Sequence, residues 1–148
     1  MTMKIGKKGL DVIKHFEGFR TQAYLCPAGV WTIGYGTTTN VKKGQTITQA
    51  KADEFLMRDV AKFEKCINNL VKVPLTQEQF DALVAFVYNI GPGNFTSSTL
   101  LSLLNQGQYH AVPAQMLRWN RGDGRVLAGL TARRTSEGVL FSTGQIKF

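Results

Sequence analysis

The chain has 148 residues, of which 43% are hydrophobic and 19% charged, and it carries a formal net charge of +8. That length builds one domain, or two small lobes sharing a core, with the composition of an ordinary globular protein. No apolar run approaches the ~20 residues that cross a bilayer, two cysteines make no disulfide framework, and two histidines without metal spacing give no zinc site.

In chain order, residues 6–17 form a short amphipathic helix that stops at Gly18. From Tyr24 to Thr39 the chain turns β-branched, aromatic and glycine-rich. Pro27-Ala28-Gly29 is a turn signal and Val30–Tyr35 a strand, which predicts a hairpin or a three-stranded sheet. After a turn at Lys42-Lys43-Gly44-Gln45, Thr48 caps a helix whose apolar residues recur at Phe55, Leu56, Val60, Phe63, Ile67 and Leu70, before Pro74. Thr76-Gln77-Glu78-Gln79 is a capping box that opens an almost wholly apolar helix through Phe80, Leu83, Val84, Val87 and Tyr88, the expected central helix. Gly91-Pro92-Gly93-Asn94 ends it. Ser97 or Ser98 caps a short helix to Gln106, another helix spans about Gln108–Asn120, Arg121–Arg125 is a polar loop, and a last helix covers Thr131 to about Ser142.

The fold class is therefore α+β and mostly helical. Residues 1–148 form a single domain divided into a small lobe with the hairpin (1–47), a connecting helix (48–70) and a helical lobe (71–148), with a cleft between the lobes. The first eight residues are basic but no apolar segment follows, so a chain made in the cytoplasm without a signal peptide is expected, with both thiols free. The charge predicts attraction to a polyanion, yet the clusters Lys7-Lys8, Lys42-Lys43 and Arg133-Arg134 are scattered. Specific nucleic-acid binding is not favoured, and a weak contact with an anionic outer membrane is an open alternative.

Of the ten carboxylates, most fit solvated helix faces, whereas Glu17 lies on one stripe with Leu10 and Ile13, beside Phe16. A carboxyl in an apolar pocket resists ionisation and can keep a proton to donate near neutral pH. The alternative is a boundary Glu that faces water or pairs with a base. Nine residues later stands Cys26, and six after that Thr32, in Trp31-Thr32-Ile33-Gly34-Tyr35-Gly36.

This order and spacing of Glu17, Cys26 and Thr32 resembles the active-site signature of the bacteriophage-type lysozymes, the endolysins of glycoside hydrolase family 24. Phe86–Gly91, Asn94–Leu101, Leu117–Asn120 and Gly129–Arg134 are similar to the family's helical lobe, so the resemblance covers nearly the whole chain. It implies a lysozyme-like fold and hydrolysis of the β-1,4 bond between N-acetylmuramic acid and N-acetylglucosamine in peptidoglycan, with no cofactor or metal and a monomer. Glu17 would be the general acid, and Thr32 would orient a water.

Cys26 stands where many members have Asp; a thiol with a pKa of about 8.5 is mostly neutral at pH 7, and whether it acts as thiolate or only shapes the turn stays open. Arg133 matches the family's base that pairs with the catalytic Glu, and Tyr88 and Ser98 match substrate-cleft positions. Many members have His where this chain has Thr37, so that structural salt bridge is expected to be missing. Trp31 and Trp119 read as packing residues. Lacking an export signal, the protein is expected to reach the periplasm through a holin. A lytic transglycosylase, a basic nucleic-acid-binding helical protein and an inactive wall-binding relative are the competing readings.

Overall fold

The computed structural model describes residues 2–148. The order is α1 (Lys7–Glu17), β1 (Arg20–Leu25), β2 (Trp31–Gly34), α2 (Gln49–Leu70), α3 (Gln77–Ile90), α4 (Pro92–Thr96) and α5 (Thr99–Asn105). A 3-10 turn (Tyr109–Ala111), α6 (Val112–Leu117), β3 (Arg121–Gly122), β4 (Arg125–Val126) and α7 (Ala128–Thr143) complete it. The mostly helical α+β class is the one read from the sequence. Among the described residues no helix is long and apolar enough to cross a membrane.

α3 is the central helix. Its capping box closes as Thr76 accepts from Gln79 N and Gln79 returns a bond to the Thr76 backbone, and Phe80 through Val87 are all buried. Each fully buried large apolar side chain is worth about 1.5–3 kcal/mol relative to exposure. α1, α2, α4 and α7 pack around α3. α2 is capped by Thr48, which accepts from Lys51 N at 3.1 Å, and buries Ala52, Leu56, Val60, Phe63 and Ile67 on one stripe.

The small sheet is an antiparallel hairpin. Tyr24 faces Thr32 and Leu25 faces Trp31, with a register shift between Arg20 and Tyr24. Residues 45–47 add a partial third edge: Ala23 N donates to Gln45 O at 2.9 Å and Ile47 N to Thr21 O at 2.8 Å. After β2 the chain doubles back, with Ile33 and Thr37 exchanging two backbone hydrogen bonds of 2.9 Å. Thr37, 1% exposed, donates its hydroxyl to Asp59 Oδ2 at 2.7 Å. The salt bridge expected to be missing is thus replaced by a hydrogen bond from a neutral donor, which ties the hairpin to α2.

Several local expectations differ from the structure. Residues 108–120 do not form one helix, because the 3-10 turn precedes α6 and Pro113 sits in α6's first turn, where its absent N–H costs nothing. The polar loop 121–125 is a two-residue-strand hairpin, with Asp123 and Gly124 both at positive φ in its turn. α7 begins three residues earlier than expected, and α4 was not expected at all. α1, assigned by sequence to the lobe 1–47, packs instead on α3 and α7.

The reason for that docking lies at the start of α1, whose own N-cap, Gly6, has no side chain to offer. Asp81 of α3 supplies the cap: Oδ1 accepts from Gly6 N at 2.8 Å and Oδ2 from Gly9 N at 3.1 Å. Glu64 of α2 accepts from Ile5 N at 2.7 Å, and Asn68 from Met3 N at 3.0 Å. Asp81→Ala should leave two amides at the buried helix start unpaired. We expect a loss of about 2–4 kcal/mol in urea unfolding, and a loss below about 1 kcal/mol would contradict this capping role.

Candidate active site

Glu17 is the last residue of α1, which Gly18 terminates at a φ of 72°. Its carboxylate is not in the apolar pocket that the helix pattern suggests. Oε2 accepts from Arg133 Nη1 at 2.7 Å, and the side chain keeps 21% of its surface open to solvent. On the other side Oε1 lies against Gly36, so closely that a methyl group placed on Gly36 would stand 2.8 Å from it. Gly36 also has a φ of 89°, a conformation that side-chain-bearing residues avoid. Both constraints demand glycine where the hairpin meets the end of α1.

Tyr88, from α3, reaches the same point. Its hydroxyl donates to Tyr35 O at 2.8 Å and lies 3.7 Å from the position of a Gly36 methyl. Burial, then the charges of Glu17 and Asp59, push the phenol far above its ordinary range, with Arg133 pulling the other way, so Tyr88 stays a neutral donor at working pH.

Cys26 and Thr32 form a second group on the hairpin. Cys26 N donates to Val30 O at 3.0 Å and Gly29 N to Cys26 O at 2.8 Å, closing the turn between β1 and β2. Thr32 is 5% exposed, and its hydroxyl donates to Val30 O at 3.0 Å. The thiol is lowered from its ordinary pKa, chiefly by a backbone hydrogen bond at Val30, against an opposing desolvation and with help from Ala28 and the Thr32 hydroxyl. Cys66, on α2, is raised by burial.

Glu17 opens onto a groove. A cavity of about 410 Å³ borders Gly36 and Tyr88 and is walled by Arg58, Asp59, Lys62 and Phe63 of α2. A second, of about 490 Å³, is lined by Phe16, Glu17, Asn89, Leu130 and Arg133. Asn89 and Leu130 also border a third, of about 330 Å³, with Arg118 and Trp119 on its far wall. Trp119 itself packs edge-on against Phe86 with ring centroids 6.5 Å apart.

Ser98 stands apart: it accepts from Leu101 N at 3.1 Å as the N-cap of α5 and donates to Phe95 O at 2.7 Å. It lines none of the three cavities around Glu17. Among the described residues no three His, Cys, Asp or Glu side chains gather as a metal cluster.

The interior holds acids that the helix patterns do not mark. Glu64, Asp81 and Glu137 are 5%, 2% and 0% exposed, and all three are more buried than Glu17. Glu64 and Asp81 serve the start of α1, whereas Glu137 binds both Arg133 and Arg134. The one local signal for it is the i+3 and i+4 spacing from Arg134 and Arg133, which equally describes a solvated helix pair.

A family model described as Phage lysozyme matches residues 14–137. An endolysin of Acyrthosiphon pisum secondary endosymbiont phage 1 is 46% identical over 145 residues, covering 95% of this chain and 99% of that endolysin. The endolysin of Bacillus phage B103 is 44% identical over 148 residues and covers 98% of this chain. It is a longer protein, of which the chain spans 56%. A SAR-endolysin of Bacteriophage PS119 is 38% identical over 122 residues, 82% of this chain and 73% of that protein. Among solved structures, the endolysin from Escherichia coli O157:H7 phage FAHEc1 superposes with a TM-score of 0.93 at 38% identity, covering 100% of this chain and 99% of the other.

The contrast between the two thiols is directly measurable. Thiolate is the alkylating species, and the lowered Cys26 reaches it at lower pH than the raised Cys66. Iodoacetamide at pH 7 followed by peptide mass spectrometry should modify Cys26 first, with its rate reaching half-maximum at the lower pH. Equal rates, or Cys66 reacting first, would contradict the environments described.

Proposed function

Given that the chain belongs to the phage lysozyme family, as a peptidoglycan-hydrolysing endolysin, we propose that Glu17 is the general acid that protonates the glycosidic oxygen of the bond it cleaves. The observation that carries this is the carboxylate of Glu17, clamped between Arg133 and the backbone at Gly36 and partly open to the groove. A proton donor must meet the leaving oxygen in one orientation, and a carboxyl held from two sides has that orientation before substrate arrives. The acetal oxygen takes the proton, the C–O bond breaks, and positive charge grows on the anomeric carbon.

Cys26 and Thr32 supply the other half of the reaction. With the usual second carboxylate absent, the Cys26 thiolate provides negative charge near the developing cation, and the Thr32 hydroxyl directs the water that attacks. The lowered thiol, to which the neighbouring Thr32 hydroxyl contributes, supports that pairing. Tyr88 and Arg133 shape the cleft, and Arg133 holds Glu17 there. Ser98 contributes as the N-cap of α5, in the helical lobe beside the cleft.

The substrate lies in the cell wall, so the enzyme must leave the cytoplasm. We assign that step to a separate holin, with the protein acting as a monomer in the periplasm. The SAR-endolysin relative favours a second route that needs no holin. Expression in Escherichia coli with and without a co-expressed holin separates them: lysis only with the holin supports the first, and holin-free lysis the second.

Glu17→Gln should reduce turnover of purified peptidoglycan by about 10²–10⁴-fold, the range that general acid catalysis contributes. Cys26→Ser and Thr32→Ala should each lower kcat more than they raise KM, while Cys26→Asp should retain activity. A Cys26→Ser variant at wild-type rate would leave the thiol a turn residue only. New reducing ends, read by mass spectrometry, identify hydrolysis, and exclusively 1,6-anhydro ends would replace it with transglycosylation.

A further inference from the structure

Glu137 is a fully buried acid with no part in the reaction as described, and it lies one residue removed from the acid that has. Arg133 spreads its guanidinium over three elements: Nη1 to Glu17 Oε2 of α1 at 2.7 Å, Nη2 to Ala85 O of α3 at 3.0 Å, and Nε to Glu137 Oε2 of α7 at 3.1 Å. The other Glu137 oxygen, Oε1, lies 3.0 Å from Arg134 Nη1. That contact is an ion pair without a hydrogen bond. Arg134 in turn donates from Nη2 to Asn89, which borders the groove beside Glu17.

The four charges cancel: two guanidiniums against two carboxylates. Burial raises the Glu137 carboxyl above its ordinary range, against the opposing pull of Arg134 and then Arg133. A proton added to either oxygen would sit against a guanidinium nitrogen, so the pairing keeps it ionised. The other elements packed on α7 bring no competing charge to this point. α6 has no charged residue, α3 presents the Ala85 carbonyl and Asn89 while its Asp81 is spent on the start of α1, and α1 presents Glu17; Lys8 of α1 and Glu78 of α3 reach α7 only at its far end, Gly144. Stability alone does not account for such a group, since buried ion networks replaced by apolar side chains are often as stable.

We propose that Glu137 is a positioning residue for the hydrolytic reaction, aiming Arg133 at Glu17 and sharing its charge so that Glu17 can take up and release the catalytic proton. Without the Glu137 charge, Arg133 and Arg134 leave one unbalanced positive charge next to Glu17. That charge favours the carboxylate, so the proton-carrying acid is lost at lower pH. The guanidinium also loses one of its three anchor points, and misorientation of a catalytic group by about an ångström costs on the order of 100-fold in rate.

The inference rests on Glu17 being the acid, and kcat and KM across pH on soluble glycan strands test it, with folding checked by circular dichroism. Glu137→Gln should lower kcat by about tenfold or more, leave KM within about twofold, and move the alkaline limb of kcat to lower pH. Glu137→Asp keeps the charge and should return the limb to its wild-type position, with a smaller loss of kcat. If Glu137→Gln and wild type have superimposable limbs, the proposal is overturned, whatever the change in melting temperature. Should the Gln variant not fold, Glu137→Asp decides: a reduced kcat at unchanged KM supports the proposal, and a wild-type kcat overturns it. Wild-type activity in Glu17→Gln would instead remove the reading of Glu17, a separate result from an unshifted limb in an enzyme that Glu17→Gln inactivates.

Discussion

Arg133 carries a positive charge into the interior, its side chain only 5% exposed, and three helices meet at the places where it is received. Desolvating a guanidinium costs several kcal/mol unless its N–H groups are satisfied, so the positions of Glu17, Ala85 and Glu137 are not independent of one another. The end of α1 and the middle of α3 must arrive within hydrogen-bonding distance of one side chain, which Glu137 holds from one turn further along α7. Glu17 therefore owes its place to residues more than a hundred positions away in the chain.

The hairpin approaches the same point from the other side and by a different physical means. No charge draws it in. Gly36 lets the backbone come against the Glu17 carboxylate, Tyr88 donates to the carbonyl at Tyr35, and the Thr37 hydroxyl fastens the strand to Asp59 of α2. The acid is thus held by a cation that belongs to the helices and bounded by a backbone that belongs to the sheet, and Cys26 and Thr32 ride on the part of the hairpin that this contact orients.

What could be read from sequence follows from the range of the interactions involved. α2 and α3 were legible because their caps and apolar stripes are local: Thr48, and Thr76 with Gln79, act within three residues. The order and spacing of Glu17, Cys26 and Thr32 was legible as a resemblance, which pointed also to Arg133. The guanidinium beside Glu17 was legible only through that resemblance, because the helix pattern sees Phe16 and Ile13 but cannot see a side chain arriving from α7. Glu137 was hidden for a related reason, since acid–base pairs at i+3 and i+4 look the same on a wet face as in a dry one. The break before α6 and the small hairpin at Asp123-Gly124 were missed where a 3-10 turn and a two-residue turn replaced regular periodicity.

The borrowed cap of α1 also orders events in time. α1 leaves the ribosome well before the residues that complete it, since Glu64, Asn68 and Asp81 hold its start and Arg133 its end. An isolated helix of 11 residues is marginal in water. The nascent chain therefore lacks the guanidinium that receives Glu17 until α7 has been synthesised and docked, even where α2 and α3 already hold the start of α1. A partly built copy lacks the ion pair that fixes Glu17, and that pair closes only with the last helix.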